Sequence, residues 1–290
     1  MKIFAQGWSD RRDGPGYRLI YYLKGCNFRC LYCGNPEGIA FGEQILFYPR
    51  RVGAVKPEEC CDHQLKCETC TTFECVKVWH HPAFEISGKS ITPAEILREA
   101  LTARHMIDGV TLGGGEPCCQ MDELLETLDL LKQNHIHTAV ESNAGSERYG
   151  ELLGKVDFLI SDLKAVTPER HLRLTGVDNR TVLANLRLAA GRQTDLLIRI
   201  PLITGYNTMA DELNAIIGFL GVLRTMRSSL AVQILPLHHL GEGKYAALRL
   251  AEPLAQLAAP DPATAAGLAR ALRDLDIKVL DMTIEKGVQL

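Results

Sequence analysis

The chain has 290 residues, of which 46% are hydrophobic and 23% charged, and its 32 basic and 35 acidic side chains leave a formal net charge of −3. These values exclude intrinsic disorder and fibrous repeats, and the length allows one large domain with or without a small insert. The near-neutral balance, with no block of Lys or Arg, predicts neither nucleic acid nor an anionic membrane as a partner.

The first residues do not resemble a signal peptide, because Gln6, Trp8 and Ser9 stand where an apolar run would be needed. No window of the sequence reaches 18 apolar residues either. A cytoplasmic protein with reduced thiols is therefore predicted. Its ten cysteines are expected to be metal ligands or packing residues rather than disulfides.

Apolar, β-branched segments alternate with amphipathic helical patterns along most of the chain. Strands are predicted at residues 18–23, 109–112, 138–142, 158–163, 196–202, 231–236 and 277–281. Helices are predicted at residues 92–106, 121–133, 181–190, 210–226 and 262–275. Strands separated by helices predict an α/β fold with a parallel sheet and right-handed crossovers, forming a complete or partial (β/α) barrel. Functional side chains should then lie at the carboxyl ends of the strands.

Residues 38–88 interrupt this alternation, because they hold half of the cysteines and no long amphipathic pattern. A segment of this length with so few apolar side chains needs a metal or a cluster to fold. The sequence therefore predicts a small Cys-rich insert at 38–88, between two parts of one core at 1–37 and 89–290.

Three cysteines, Cys26, Cys30 and Cys33, follow the first predicted strand with the spacing C-x3-C-x2-C. Three thiolates on one loop can hold three irons of a [4Fe-4S] cube and leave the fourth iron open to a substrate. The alternatives at this point are a zinc site that borrows a distant fourth ligand, or buried thiols without a ligand role.

Around these cysteines the sequence resembles the radical S-adenosylmethionine (SAM) enzymes. Within them it resembles the glycyl-radical enzyme activating enzymes, of which pyruvate formate-lyase activating enzyme is one. The resemblance rests on Asp13-Gly-Pro-Gly16, on Leu23-Lys-Gly-Cys26, and on Asn35-Pro36 after the third cysteine. It implies a partial (β/α)6 radical SAM barrel with a ferredoxin-like insert, a SAM-binding [4Fe-4S] cluster and SAM itself as cofactors.

The activity that this resemblance implies is reductive cleavage of SAM to a 5′-deoxyadenosyl radical, which removes a hydrogen atom from a glycine of a partner glycyl radical enzyme. A flavodoxin or a similar protein is the implied reductant. Two alternatives stay open: a radical SAM enzyme that transforms a small molecule, with the insert as a lid, and a non-catalytic iron–sulfur electron carrier. Asp13-Gly-Pro-Gly16 favours the protein substrate over the small molecule.

The resemblance also implies the residues of the SAM site. Tyr32 is expected to flank the adenine, Lys164 to pair with the carboxylate of SAM, and Arg199 and His238 to line the site. The predicted contacts to the amino group come from a Gly-Gly-Glu motif: Gly114, Gly115 and Glu116. Read without the resemblance, the glycine-rich turn is an ordinary strand-to-helix connection, and Asp162 with Lys164 is a solvated ion pair.

Two further roles are implied by the resemblance. Glu141, Ser142 and Asp162 are expected to hold a monovalent cation beside the SAM carboxylate. Asp13 is expected to contact the glycyl loop of the partner, although an Asp-Gly pair is also a common turn.

The insert contains a second group of cysteines, Cys60, Cys61, Cys67, Cys70 and Cys75. Four of these five could hold one auxiliary [4Fe-4S] cluster. The alternative is a zinc site made from Cys67, Cys70, Cys75 and one of Cys60, Cys61 or His63. The adjacent pair Cys118 and Cys119 is interpreted as small packing residues.

Overall fold

The computed structural model describes residues 1–48, 84–251 and 253–280. Its main sheet has nine strands: β1 (Lys2–Asp10), β2 (Tyr17–Leu23), β5 (Lys89–Ser90), β6 (Gly109–Gly114), β7 (Thr138–Ser142), β8 (Phe158–Asp162), β9 (Asp195–Leu202), β10 (Ala231–Pro236) and β11 (Lys278–Leu280). A separate two-stranded sheet contains β3 (Gln44–Phe47) and β4 (Phe84–Ser87).

The strand order of the main sheet is β11-β10-β9-β8-β7-β6-β2-β1-β5. All pairs from β2 to β11 are parallel, whereas β1 pairs antiparallel with both β2 and β5. The order is linear among the described strands, as in a partial barrel. The predicted α/β fold with a parallel sheet is confirmed, and the carboxyl ends of seven strands lie along one edge of it.

Seven helices connect these strands in the part of the chain that the structure describes: α1 (Pro93–Thr102), α2 (Met121–Gln133), α3 (Pro168–Thr175), α4 (Arg180–Ala190), α5 (Ala210–Met226), α6 (Glu242–Ala247) and α7 (Pro262–Arg273). The start of α1 is a capping box. The Thr92 hydroxyl accepts a hydrogen bond from the Glu95 amide at 3.2 Å, and the Glu95 carboxylate accepts one from the Thr92 amide at 2.8 Å.

The central strands are buried on both faces, which explains their continuous apolar sequence. Val110 and Leu112 of β6 and Leu159 of β8 are fully buried in the main core, and Leu124 and Leu128 of α2 pack into the same cluster. Each fully buried leucine of this kind contributes roughly 1.5–3 kcal/mol through the hydrophobic effect. The core thereby holds the strands in the register that brings their carboxyl ends together.

Some elements differ from the prediction. The nine-residue strand β1 was not expected, because its sequence is largely polar and only two of its residues are buried. The crossover from β7 to β8 contains the 3-10 turn Tyr149–Leu152 where a repeated β/α unit would have an α-helix. The helix at Pro168–Thr175 was also not predicted, since its sequence is strongly polar.

The described ends of the predicted insert pair with each other. Strands β3 and β4 run antiparallel from Gln44 opposite Ser87 to Phe47 opposite Phe84, and the two phenylalanine rings stack with centroids 5.0 Å apart. The cysteines Cys60, Cys61, Cys67, Cys70 and Cys75 lie outside the described residues, so the ligand set and the domain boundaries 1–37, 38–88 and 89–290 stay predictions. Among the helices that the structure describes, none is long and apolar enough to cross a membrane.

Candidate active site at the carboxyl edge of the sheet

A cavity of about 480 Å³ lies at the carboxyl ends of the parallel strands, within the size range of small-ligand sites. Most of the residues predicted for the site line it: Cys26, Cys30, Tyr32, Cys33, Gly114, Gly115, Glu141, Ser142, Asp162, Lys164, Arg199 and His238. These residues come from the loop after β2 and from the ends of β6, β7, β8, β9 and β10. The fold therefore assembles, at one edge, side chains that are more than 200 positions apart in the sequence.

The loop that carries the three cysteines is anchored to the carboxyl end of helix α3. The amide of Arg29 donates a hydrogen bond to the Thr175 carbonyl at 2.8 Å, and the amide of Leu31 donates one to the Leu174 carbonyl at 2.9 Å. These carbonyls have no partner within the helix, so the loop completes the hydrogen bonding of the helix end. The backbone that presents the thiols is thereby fixed to the core.

The three thiols lie in a largely buried environment. Burial raises the pKa of Cys26 to about 12 and those of Cys30 and Cys33 to about 11. Without a metal the thiols stay protonated at neutral pH, and binding of a cluster as thiolates releases those protons. Three cysteine ligands facing one cavity fit an iron–sulfur cluster with one iron open toward the cavity.

The described residues fit a single metal ion less well than they fit a cluster. No group of three or more His, Cys, Asp or Glu side chains in the described ranges is arranged to hold one metal ion. A cube does not need that convergence, because it distributes its ligands over separate irons.

Tyr32 and Lys164 line the cavity beside the cysteines. The ammonium nitrogen of Lys164 lies 2.7 Å from Asp162 Oδ2 and 5.5 Å from the centroid of the Tyr32 ring. Burial acts to lower the pKa of Lys164, but the neighbouring Asp162 and other acidic groups outweigh it and raise that pKa. The Tyr32 ring lines the cavity, while its hydroxyl oxygen is fully buried on the side of Lys164.

Arg199 lies on β9 beside Asp162 of β8 and joins three elements. Its Nη1 lies 2.6 Å from Glu141 Oε1, and its Nε donates a hydrogen bond to Gln233 Oε1 at 2.9 Å. Its Nη2 donates to the carbonyl of Arg12, in the turn next to Asp13. The turn that was predicted to meet a partner protein therefore touches a residue of the cavity.

Glu116 is placed differently from the other predicted residues, because its side chain is fully buried and does not line the cavity. Its carboxylate accepts hydrogen bonds from the Ser142 hydroxyl at 2.8 Å, the Asn143 amide at 2.6 Å and the Cys118 amide at 3.1 Å. In this arrangement Glu116 fixes the loop after β7, while Gly114 and Gly115 present backbone to the cavity. A contact of the Glu116 carboxylate with SAM would need another side-chain orientation.

Asp13 also lies outside the cavity lining. Its carboxylate accepts a hydrogen bond from the Ser9 hydroxyl at 2.5 Å, and its carbonyl accepts one from the Thr111 hydroxyl at 2.6 Å. Gly14 has φ +122° and lies so close to the side chain of the buried Arg18 that a Cβ would stand 2.9 Å from it. The turn therefore has a structural role, and its contact with a partner stays a prediction.

Asn143 and Lys244 line the cavity and were not identified from the sequence. The side-chain nitrogen Nδ2 of Asn143 lies 2.8 Å from Asn27 Oδ1 and 3.8 Å from Cys26 Sγ, so Asn143 contacts the first cysteine of the triad. Its position directly after the predicted residue Ser142, at a strand end, was the available signal. Lys244 lies on the short helix α6, for which the sequence shows no apolar periodicity. His239, next to His238, is exposed and pairs with Glu242 at 2.6 Å.

Comparison with known proteins agrees with this arrangement. A family model described as the radical SAM superfamily matches residues 20–219. The chain belongs to this superfamily. The 4-hydroxyphenylacetate decarboxylase activating enzyme of Clostridioides difficile strain CD196 is 30% identical over 259 residues, covering 80% of each chain. The trans-4-hydroxy-L-proline dehydratase activating enzyme of Clostridioides difficile is 32% identical over 256 residues, covering 80% of this chain and 83% of that one.

Among solved structures, QueE from Escherichia coli shares the fold with a TM-score of 0.50 at 13% identity, covering 96% of this chain and 92% of that one. The predicted radical SAM fold and the resemblance to activating enzymes are confirmed. The chain is an enzyme of this class, and the relatives favour the activating enzymes over the small-molecule alternative.

Proposed function

We propose that this enzyme cleaves SAM reductively and uses the resulting radical to activate a partner glycyl radical enzyme. One electron breaks the bond between the sulfonium sulfur and C5′ of SAM, giving methionine and the 5′-deoxyadenosyl radical. This radical takes a hydrogen atom from the α-carbon of one partner glycine and leaves 5′-deoxyadenosine and a glycyl radical. The observation that carries the proposal is one cavity that combines three thiols with the cations Lys164 and Arg199.

The residues of the cavity have separate roles. Cys26, Cys30 and Cys33 would hold a [4Fe-4S] cluster, which when bound supplies the electron. Lys164 is placed to pair with the carboxylate of SAM, Arg199 to line the SAM site, and Tyr32 to flank the adenine.

The apolar residues of the cavity wall have a different role from the polar ones. Ile160, Leu235 and Leu237 line the same space. They exclude water and other hydrogen donors from the path between SAM and the partner glycine.

The decisive experiment for this function is electron paramagnetic resonance on the reconstituted enzyme mixed with a reductant, SAM and a candidate glycyl radical enzyme. We expect a doublet whose hydrogen splitting collapses when the target glycine carries α-deuterium. Asp13→Asn should weaken this signal more than it weakens cleavage of SAM, because Asp13 does not line the cavity and acts on it only through Glu141 and Arg199. If SAM is cleaved efficiently with a small metabolite, and no candidate partner gives the doublet, the small-molecule alternative is correct.

For the insert we propose one auxiliary [4Fe-4S] cluster, held by Cys67, Cys70, Cys75 and either Cys60 or Cys61. These residues lie outside the described part of the chain, so the proposal rests on their number and spacing. Iron and sulfide analysis after anaerobic reconstitution tests it: about eight irons per chain support two cubes. About four irons with one tightly bound zinc would favour the zinc alternative.

A monovalent cation at Glu141, Ser142 and Asp162 is a separate proposal, supported by the position of these three residues at two neighbouring strand ends that line the cavity. A cation would have to compete with a protein partner at each of these side chains. Glu141 pairs with Arg199, Ser142 with Glu116, and Asp162 with Lys164. SAM affinity measured in K⁺ and in a large organic cation at constant ionic strength tests the proposal. Equal affinities would argue against the cation.

We also propose that the enzyme works in a reducing cytoplasmic environment with a flavodoxin-like protein as electron donor. The described cysteines Cys26, Cys30, Cys33, Cys118 and Cys119 are all free thiols, which supports the first part. Replacing dithionite by reduced flavodoxin in the cleavage assay tests the second part, and no turnover with flavodoxin would exclude it as the donor.

A further inference from the structure

The segment from Cys33 to Gly38, directly after the last cysteine of the triad, is held by one lysine from a distant part of the chain. Lys244 Nζ lies 2.6 Å from Glu37 Oε1 and 2.7 Å from Asn35 Oδ1, and 5.8 Å from the centroid of the Phe4 ring. The Glu37 side chain is only 7% exposed. A buried carboxylate of this kind depends strongly on its counter-ion, because removal of one partner leaves an uncompensated charge.

The backbone of the same segment is held from the other side. The buried ammonium of Lys24 donates a hydrogen bond to the Glu37 carbonyl at 2.7 Å. Lys24 also donates to Gln44 at 3.1 Å and to Ser87 at 3.3 Å, which belong to the two strands at the described ends of the insert. Glu37 is therefore fixed through its carboxylate by α6 and through its carbonyl by the end of β2.

Close backbone contacts make the position of the segment depend on α6. A Cβ on Gly241, the residue before α6, would stand 3.0 Å from the Cys33 carbonyl and 3.1 Å from Gly34 Cα. A Cβ on Gly34 would meet the His238 ring at 3.3 Å. The third cysteine of the triad therefore packs directly on the turn between β10 and α6, which also forms one wall of the cavity.

We infer that Lys244 and Glu37 are a positioning pair that fixes Cys33 relative to the His238 side of the cavity. The pair acts through the backbone from Cys33 to Glu37 and not through contact with the reacting atoms. This inference rests on the proposed function for its catalytic meaning, since the position of Cys33 sets where a cluster would stand relative to SAM. The ordering of the segment by this pair does not depend on the proposed function.

The first experiment uses the apoprotein, so its result does not depend on the proposed function. Hydrogen exchange at the amides of residues 33–39 is measured in wild type, Lys244→Met and Lys244→Arg. Lys155→Met is the matched control, because Lys155 also lies in an ion pair, 2.6 Å from Asp129, at the opposite end of β8. We expect the amides of the segment to exchange roughly tenfold faster in Lys244→Met than in wild type, and at the wild-type rate in Lys244→Arg and Lys155→Met. A tenfold increase corresponds to a free energy of local opening that is lower by about 1.4 kcal/mol.

The second experiment concerns the loaded enzyme. Lys244→Met should keep the iron content of wild type but change the electron paramagnetic resonance signal of the reduced cluster with SAM and weaken SAM binding, while Lys244→Arg restores both. If Lys244→Met folds poorly, the nearly isosteric Glu37→Gln provides the same test. Unchanged exchange of the segment, or a uniform increase throughout the protein, would overturn the inference. A wild type that binds cluster but does not cleave SAM would instead refute the proposed function.

Discussion

Arg199 and Glu141 form an ion pair that spans strand β8, with Nη1 and Oε1 2.6 Å apart and side chains only 13% and 20% exposed. The pair joins the end of β7 to β9, although these strands are not neighbours in the sheet. Arg199 is thereby held in one orientation, with further hydrogen bonds from Nε to Gln233 and from Nη2 to the Arg12 carbonyl. These three bonds use three of its five N–H donors, which leaves two for a ligand. The cavity wall therefore contains a preoriented guanidinium.

We expect Arg199→Met to lower the free energy of unfolding of the apoprotein by roughly 2–4 kcal/mol, because it leaves the Glu141 carboxylate without its partner in a poorly solvated place. The double variant Arg199→Met/Glu141→Leu should lose less than the sum of the single variants, since it removes both charges. Urea unfolding of the four proteins measures the coupling. Additive losses would mean that the two side chains do not interact in solution.

Lys164→Met should weaken SAM binding much more than it weakens folding. A lost charge-assisted hydrogen bond costs about 1.5–3 kcal/mol, which corresponds to roughly tenfold or more in affinity. Calorimetric titration of reconstituted wild type and variant with SAM measures the effect, and Lys155→Met serves again as the control. Wild-type affinity in Lys164→Met would remove this lysine from the site.

Alanine in place of Cys26, Cys30 or Cys33 should abolish both binding of the SAM-site cluster and cleavage of SAM, because two thiolates cannot hold it in place. Cys118→Ala and Cys119→Ala should retain both, although loss of the buried Cys118 sulfur costs about 1 kcal/mol of stability. Iron content and the yield of 5′-deoxyadenosine are the measurements. Loss of iron in Cys118→Ala, with normal folding, would assign that thiol a ligand role.

His171 of α3 should make the stability of the protein depend on pH. Its ring is fully buried against Phe28, and its Nδ1 contacts the Val177 carbonyl at 2.7 Å. Burial lowers its pKa below the ordinary value of 6.5, so the unfolded chain binds the proton more readily. The resulting stability is present above about pH 6.5 and is lost as the pH falls, with a slope of at most about 1.4 kcal/mol per pH unit.

His171→Asn can keep the hydrogen bond to Val177 without a titrating group. Its free energy of unfolding should therefore fall less steeply between pH 6.5 and 5 than that of wild type. His137 and His238, whose pKa values burial also lowers, remain in both proteins and keep part of the slope. Urea titrations at several pH values provide the comparison, and parallel curves would show that His171 does not titrate in this range.

The sequence predicted the strands and helices that repeat an apolar period, and it predicted the start of α1 because the capping box is a local signal. It did not predict β1 or α3, since the sequence of β1 is largely polar and α3 is a short helix with few apolar residues. In the site, the cysteine triad and the strand-end residues were found because each lies in a short motif. Lys244 could not be found, because it meets Asn35 across 209 positions of sequence.

The same separation bears on the time course of biosynthesis. The triad is complete at Cys33, but the groups that shape its loop, the carbonyls of Leu174 and Thr175 and the ammonium of Lys244, come much later in the chain. At about 5–20 residues per second, a ribosome needs roughly 10–40 s to add them. Ribosome-bound chains stalled before residue 174, which lack both carbonyls that fix the triad loop, should therefore take up little iron at the triad. Delivery of the cluster is expected to begin only after helix α3 has been translated.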